Sequence, residues 1–172
     1  ELVEVYKIDP HNLDSSLDPD EIGRMEFEPD HLAVIFKRPK NYSSSDNFLF
    51  RVISMGVFLF KDRMILVMAE NVNVFEGKQT FKFRTLHDVL IKLLYGTISH
   101  FMGHLKVINM LSDSLETKIN KSMENKFLLN MFTLEKSLVF FLNGVNHNAT
   151  IIEKLKVSAV KLGFSPENVE WL

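Results

Sequence analysis

The 172 residues predict a chain of the α/β class in its α+β form: a mixed β-sheet domain carrying a long antiparallel helical hairpin. Three observations predict it. Between residues 25 and 84 the apolar side chains come in short runs separated by turn residues, the mark of strands. After Arg84 they recur in steps of three and four over two long segments, the mark of helices. Between those segments a polar break, Asn120 to Lys126, supplies the bend.

The first run, Leu2 to Ile8, alternates and is predicted as a strand. Asp18-Pro19-Asp20-Glu21 carries helix-start signals and predicts a short helical turn that Gly23 ends. Arg24 to Phe27 and Leu32 to Lys37 then form two strands about a turn set by Pro29 and Asp30. Leu32-Ala33-Val34-Ile35-Phe36 is apolar throughout, so this strand is expected to be buried on both faces. Asn41 to Asn47 holds three consecutive serines and is a solvated loop. Phe48 to Phe60 and Met64 to Met68 are further strands joined at Lys61-Asp62-Arg63, and Phe81 to Arg84 is a last one.

Thr85 can cap the first long helix, whose stripe uses Leu86, Leu90, Leu94, Ile98, Phe101, Leu105, Ile108, Leu111, Leu115 and Ile119. The second helix shows a heptad seam at Phe127, Met131, Leu134, Leu138, Phe141, Val145, Ile152 and Leu155, interrupted at Asn148. A polar residue at such a position fixes register at a cost in stability. Each helix has about 30 residues or more, which makes a hairpin of roughly 45–50 Å at 1.5 Å per residue. Gly96, Gly103 and Gly144 lie inside these helices, where they either admit close contact or are simply tolerated. Finally, Ser165-Pro166-Glu167 announces a helix that is expected to continue past Leu172, just as the opening at Glu1 suggests a cut end. The organisation read from this is a β-rich part at 1–84, a helical hairpin at 85–160 packed with it, and the start of a stalk helix at 161–172.

Composition excludes several functions. The 20 basic and 22 acidic side chains leave a charge of −2, against an electrostatically driven nucleic-acid binder. With 46% apolar residues the chain can fold, and no cysteine is available for a disulfide, a thiolate metal site or a thiol nucleophile. No apolar run reaches the roughly 18–20 residues of a membrane span, and no signal peptide opens the chain, so the sequence reads as a soluble domain.

Motifs for enzymatic chemistry are missing: there is no phosphate loop, nucleophile elbow or His-Glu-x-x-His. His100 and His104 stand one helical turn apart and could hold zinc with a third ligand, or simply flank the apolar stripe. Asp14, Asp18, Asp20 and Glu21 form an acidic cluster that suits a hard cation or a solvated helix start. Phe58, Phe60, Phe81 and Phe83 have strand spacing and belong to a core rather than to a base-stacking platform.

The stretch Leu17-Asp18-Pro19-Asp20-Glu21-Ile22-Gly23-Arg24-Met25-Glu26-Phe27-Glu28-Pro29-Asp30-His31-Leu32-Ala33-Val34-Ile35-Phe36-Lys37 resembles the signature region of CorA-type magnesium transporters. The resemblance continues through Met55 to Val67, through Phe101, Leu105, Ile108, Asp113, Leu115 and Glu116, and through Leu134 to Val139, so it spans about 13 to 172. It implies a non-enzymatic cytosolic domain of a homopentameric transporter of divalent cations, on the cytoplasmic face of the inner membrane, that lacks the pore. No cofactor is required. The implied partners are other copies of the chain and divalent cations, with no nucleic acid and with membrane contact only through a further C-terminal segment.

In that family acidic residues hold regulatory magnesium between neighbouring subunits. The matching positions here are Ser15, Tyr95 and Asn168, all uncharged, so the resemblance leaves Asp14 and Glu167, beside two of them, as the metal-binding candidates. Two other classes stand beside this one. The hairpin could be an ion-independent interaction module, or His100 and His104 could serve a zinc hydrolase. Zinc or cobalt in place of magnesium as the carried ion also stays open.

Overall fold

Four strands form one sheet in the order β1-β2-β3-β4, and each of its faces is covered by a different part of the chain. The computed structural model describes residues 1–70, 83–122 and 124–172. Strands β1 (Arg24–Phe27), β2 (His31–Pro39), β3 (Val52–Phe60) and β4 (Met64–Met68) follow one another as hairpins. Every pairing among them is antiparallel, with Met25 opposite Val34, Ala33 opposite Phe58 and Val57 opposite Leu66. The mixed sheet expected from sequence is therefore an antiparallel meander, in which each strand pairs with the next along the chain. All nine residues of β2 are buried, as its unbroken apolar run implied.

Three helices cover one face. α2 (Leu86–Ser122) and α3 (Asn125–Ser158) form the hairpin, and α4 (Pro166–Trp171) docks beside α2. Thr85 and Asp88 make a reciprocal cap at the start of α2: the Asp88 N–H donates to Thr85 Oγ1 at 3.2 Å, and the Thr85 N–H donates to Asp88 Oδ2 at 2.8 Å. Leu32, Val34, Phe36, Met55, Val57 and Leu59 point to this side and pack with Leu90, Ile91, Leu94, Ile151 and Leu155. Past the sheet the helices make their own core from Phe101, Ile108, Leu115, Leu134 and Phe141, with Phe50 inserted. Phe101 meets Phe141, Ser112 meets Met131 and Lys118 lies over Phe127, so the two helices run antiparallel.

The seam of α3 differs from the expected one. Its buried residues are Leu134, Ser137, Phe141, Gly144, Asn148, Ile151 and Leu155, a strict alternation of three and four. Leu138 and Val145 are exposed. Ser137 and Gly144 hold the places expected of their apolar neighbours Leu138 and Val145, while Asn148 sits at the expected interruption, and each has a physical task. Gly144 lets Phe101 approach: a Cβ there would stand 3.2 Å from the Phe101 ring. Ser137 Oγ accepts the Phe50 N–H at 2.9 Å. By contrast Gly103 faces open space and is merely tolerated.

The other face is covered by residues 1–17. The strand expected at Leu2 to Ile8 does not form. The Val5 N–H turns back to the Glu1 carbonyl, Lys7 adopts φ 55°, and Val3 and Val5 are exposed. A left-handed residue ends an extended run. Ile8 is buried against Ala33 and Phe58, and the chain then enters α1 (Pro10–Leu17). Asp9 Oδ1 caps this helix through the His11 N–H at 2.7 Å, with Pro10 in its first turn. Asp18 ends α1, so Asp18 to Glu21 form a turn and no helical turn. β3 starts at Val52 rather than at Phe48, because Asn47 and Phe48 both have positive φ. Phe81 and Lys82 of the last expected strand lie outside the described residues, and Phe83 and Arg84 have no regular structure.

Candidate functional site

Asp14 and Glu167 are both exposed, and they sit on elements that cover opposite faces of the sheet. Asp14 is on α1. Glu167 lies in the first turn of α4, where a carboxylate faces the positive helix end. One copy of the chain therefore does not bring the two together. Among the described residues no three His, Cys, Asp or Glu side chains converge to hold a metal ion.

The residues beside them have other work. Ser15 is buried under Arg24, whose Nη2 donates to Ser15 Oγ at 3.0 Å and to Asn12 Oδ1 at 2.9 Å. The same guanidinium reaches Glu26 Oε1 through Nε at 3.0 Å and Glu21 Oε1 through Nη1 at 3.1 Å. The Glu21 carboxyl is held below its usual range by the Ile22 N–H, the Ser15 hydroxyl and Arg24, against the opposing effect of burial. This network ties α1 to β1. It takes Glu21 of the acidic cluster, together with Glu26 of β1, into ion pairs and leaves Asp14 on the outer side of α1.

Tyr95 and Asn168 latch α4 to α2. The Tyr95 hydroxyl donates to the Trp171 carbonyl at 3.3 Å, and the two rings meet edge to face at 5.7 Å. Asn168 is buried and hydrogen-bonds the Asp88 carboxylate, which also accepts the N–H groups of Arg84 and Thr85. Burial raises the Asp88 carboxyl, and those donors outweigh it, so its net shift is downward. Val169 and Leu172 complete the contact with the core. The two uncharged residues are thus part of how the end of the chain is seated on the helical hairpin.

The histidine pair is structural. The rings of His100 and His104 lie 4.4 Å apart, and His104 is wedged between Phe50 and Phe141. Burial, then His104 and the nearby Arg38, hold His100 down at about 4. A buried guanidinium next to two imidazoles repels a zinc ion, and no carboxylate joins them as a third ligand among the described residues.

Lys37, which the sequence did not single out, is buried on β2. Its Nζ donates to the Pro19 carbonyl at 2.9 Å and to Ser54 Oγ at 2.7 Å, which secures the 18–21 turn over the sheet. Burial pushes its pKa down, against the pull of Asp18, Glu21 and Asp20. Its main chain is taken by Asn148: Oδ1 accepts the Lys37 N–H at 2.8 Å and Nδ2 donates to the Lys37 carbonyl at 2.7 Å. β1 stops pairing at Ile35, so the Asn148 amide serves β2 where a neighbouring strand has run out. No helix of the described residues is long and apolar enough to cross a membrane.

This arrangement of sheet, N-terminal cover and long hairpin has close structural counterparts. The soluble domain of CorA from Methanocaldococcus jannaschii superposes with a TM-score of 0.77 at 19% identity, covering 98% of this chain and 70% of that one. The complete CorA magnesium transporter from the same organism gives 0.78 at 18% identity, covering 99% of this chain and 55% of that one. At such identities the likeness is one of fold. This chain spans little more than half the length of the complete transporter. A comparison with curated proteins found no match. The family model described as CorA-like Mg2+ transporter protein matches residues 1–168, and the chain belongs to that family.

Proposed function

We propose that this chain is the cytosolic regulatory domain of a divalent-cation transporter, carries out no reaction of its own, and acts at the cytoplasmic face of the inner membrane. The family match through residue 168 carries this reading. Magnesium is both the carried ion and the regulatory one. Self-association is supported by the apolar side chains that both long helices leave exposed, among them Met102 and Met110 of α2 and Leu129, Phe132 and Leu142 of α3. Such stripes suit burial against a stalk helix or a neighbouring copy.

In this mechanism magnesium between neighbouring copies offsets the repulsion of Asp14 and Glu167 carboxylates and stabilises a closed assembly. Losing the ion frees α4 and the stalk it begins. The ion biases the equilibrium because it binds the closed form more tightly. Magnesium keeps several waters and takes one or two carboxylates, so a site shared between copies needs few protein ligands from each.

A second reading, an interaction module without ion sensing, is favoured by the structural tasks of Ser15, Tyr95 and Asn168 at the positions where the family places acids. Limited proteolysis separates the two. The sensor reading expects magnesium to slow digestion of the assembled protein, and Asp14→Ala or Glu167→Ala to weaken that protection. Equal digestion rates with and without magnesium in all three proteins favour the module.

A further inference from the structure

Two adjacent side chains in the first turn of α2 hold both ends of the connection that leads into α4. His87 donates a hydrogen bond to the Leu162 carbonyl, and its ring lies 4.3 Å from that of Phe164. Asp88 accepts a hydrogen bond from the side chain of Asn168, inside α4. Between these anchors the chain bends at Gly163, whose φ of 78° suits glycine.

The Asp88 carboxylate has a second task. Its Oδ2 accepts the Arg84 and Thr85 N–H groups, each at 2.8 Å, and the Asp88 N–H donates to Thr85 Oγ1 at 3.2 Å. One half-buried side chain therefore closes the cap of α2 and the seat of α4 together. Holding that side chain in one rotamer costs conformational entropy. The cost is met once for both sets of bonds, so each set favours the other.

The rest of the seat is slight. The six residues of α4 are too few to be stable as a helix by themselves. Val169 and Leu172 pack on the core, and Trp171 meets Tyr95 while staying 45% exposed. An element with so few buried contacts opens before the whole chain unfolds.

We propose that the first turn of α2 and helix α4 form one conformational strap closed through Asp88: α4 stays seated while the turn is capped and lifts away when the cap opens. This coupling goes beyond ion sensing and does not rest on it, since it belongs to a single chain and needs no ion. A load on the chain entering α2 at Arg84 is thereby passed to α4, and a load on α4 is passed back to the cap.

Hydrogen exchange on the intact chain tests this, together with the fluorescence of Trp171, the only tryptophan. Thr85 is exposed, and Thr85→Ala removes the acceptor of the Asp88 N–H while leaving every residue of α4 in place. The variant should fold normally by circular dichroism. Exchange at the Val169 N–H, which is bonded to the Ser165 carbonyl, should rise about threefold or more, and acrylamide should quench Trp171 more strongly. Coupling between two sites is reciprocal, so Asn168→Ala should speed exchange at the Thr85 and Asp88 N–H groups, again by about threefold or more. Exchange at Phe141, in the middle of α3, should keep its wild-type rate in both variants. Wild-type exchange at Val169 in Thr85→Ala overturns the proposal, and so does wild-type exchange at Thr85 and Asp88 in Asn168→Ala. Equal acceleration at Phe141 overturns it too, because it replaces a local strap with a general loss of stability.

Discussion

Replacing Asn148 with alanine removes both hydrogen bonds that hold β2 to α3. The wild-type amide is 6% exposed and satisfies the Lys37 N–H and carbonyl at 2.8 and 2.7 Å. No strand stands ready to replace it, because β1 pairs with β2 only from Leu32 to Ile35. The variant therefore leaves one donor and one acceptor buried and unmade, at about 1–3 kcal/mol each. Some water penetration will recover part of this, which sets the expected loss at about 2–4 kcal/mol, a large share of the stability of a domain this size. Urea unfolding followed by circular dichroism measures it, and the slope should stay constant if only stability changes. Asn148→Leu restores volume without the amide and should remain destabilised by more than about 1.5 kcal/mol. A loss under about 0.5 kcal/mol in the alanine variant would refute the reasoning, since that is the range of an ordinary surface substitution.

Two further predictions concern packing and pH. A Cβ at Gly56 would stand 2.0 Å from Ser16 Oγ and 2.7 Å from Ser16 Cβ, so Gly56→Ala must lift α1 off the sheet. It should cost on the order of 1–3 kcal/mol, and adding Ser16→Gly should recover part of the loss in a double-mutant cycle. Full additivity of the two losses would contradict the packing. His100 titrates at about 4 in the folded chain, against its ordinary value of 6.5. The unfolded chain therefore binds the extra proton first as pH falls. The stability this group contributes is complete above about 6.5 and is lost progressively down to about 4. His100→Phe, measured against the wild type from pH 7.5 to 4.5, should show the shallower decline. Parallel curves would remove the buried imidazole from the account.

Much of this fold could be seen in the chain because its signals were local. Thr85 capped α2, the polar stretch after Asn120 held the bend, and the unbroken apolar run became a strand buried on both faces. The misses came where partners decide. Leu2 to Ile8 alternates, but it packs on the face of the sheet with Ala33 and Phe58, and Lys7 turned the chain away from an extended course. Asp9-Pro10 carried the same helix-start signal as Ser165-Pro166, and it alone would have placed α1. In α3 the seam passes through Ser137, Gly144 and Asn148, whose value lies in what they meet on Phe50, Phe101 and Lys37. At Ser137 and Gly144 hydrophobicity points to the wrong neighbours, Leu138 and Val145, whereas Asn148 was legible as the polar interruption of the seam. The Arg24 network was hidden for a similar reason: it joins residues of α1, the following turn and β1 that share no motif. Asp14 and Glu167 were named by likeness to a family, and among the described residues no three His, Cys, Asp or Glu side chains gather around either.

The most direct test of the account is magnesium flux through the complete transporter that carries this domain, reconstituted in liposomes, with magnesium varied on the side this domain faces. Flux is expected to fall as magnesium on that side rises, with a weaker fall in Asp14→Ala and Glu167→Ala. Flux that ignores magnesium on that side in wild type and variants alike would contradict the regulatory claim, and no magnesium flux at all would contradict the transporter reading itself.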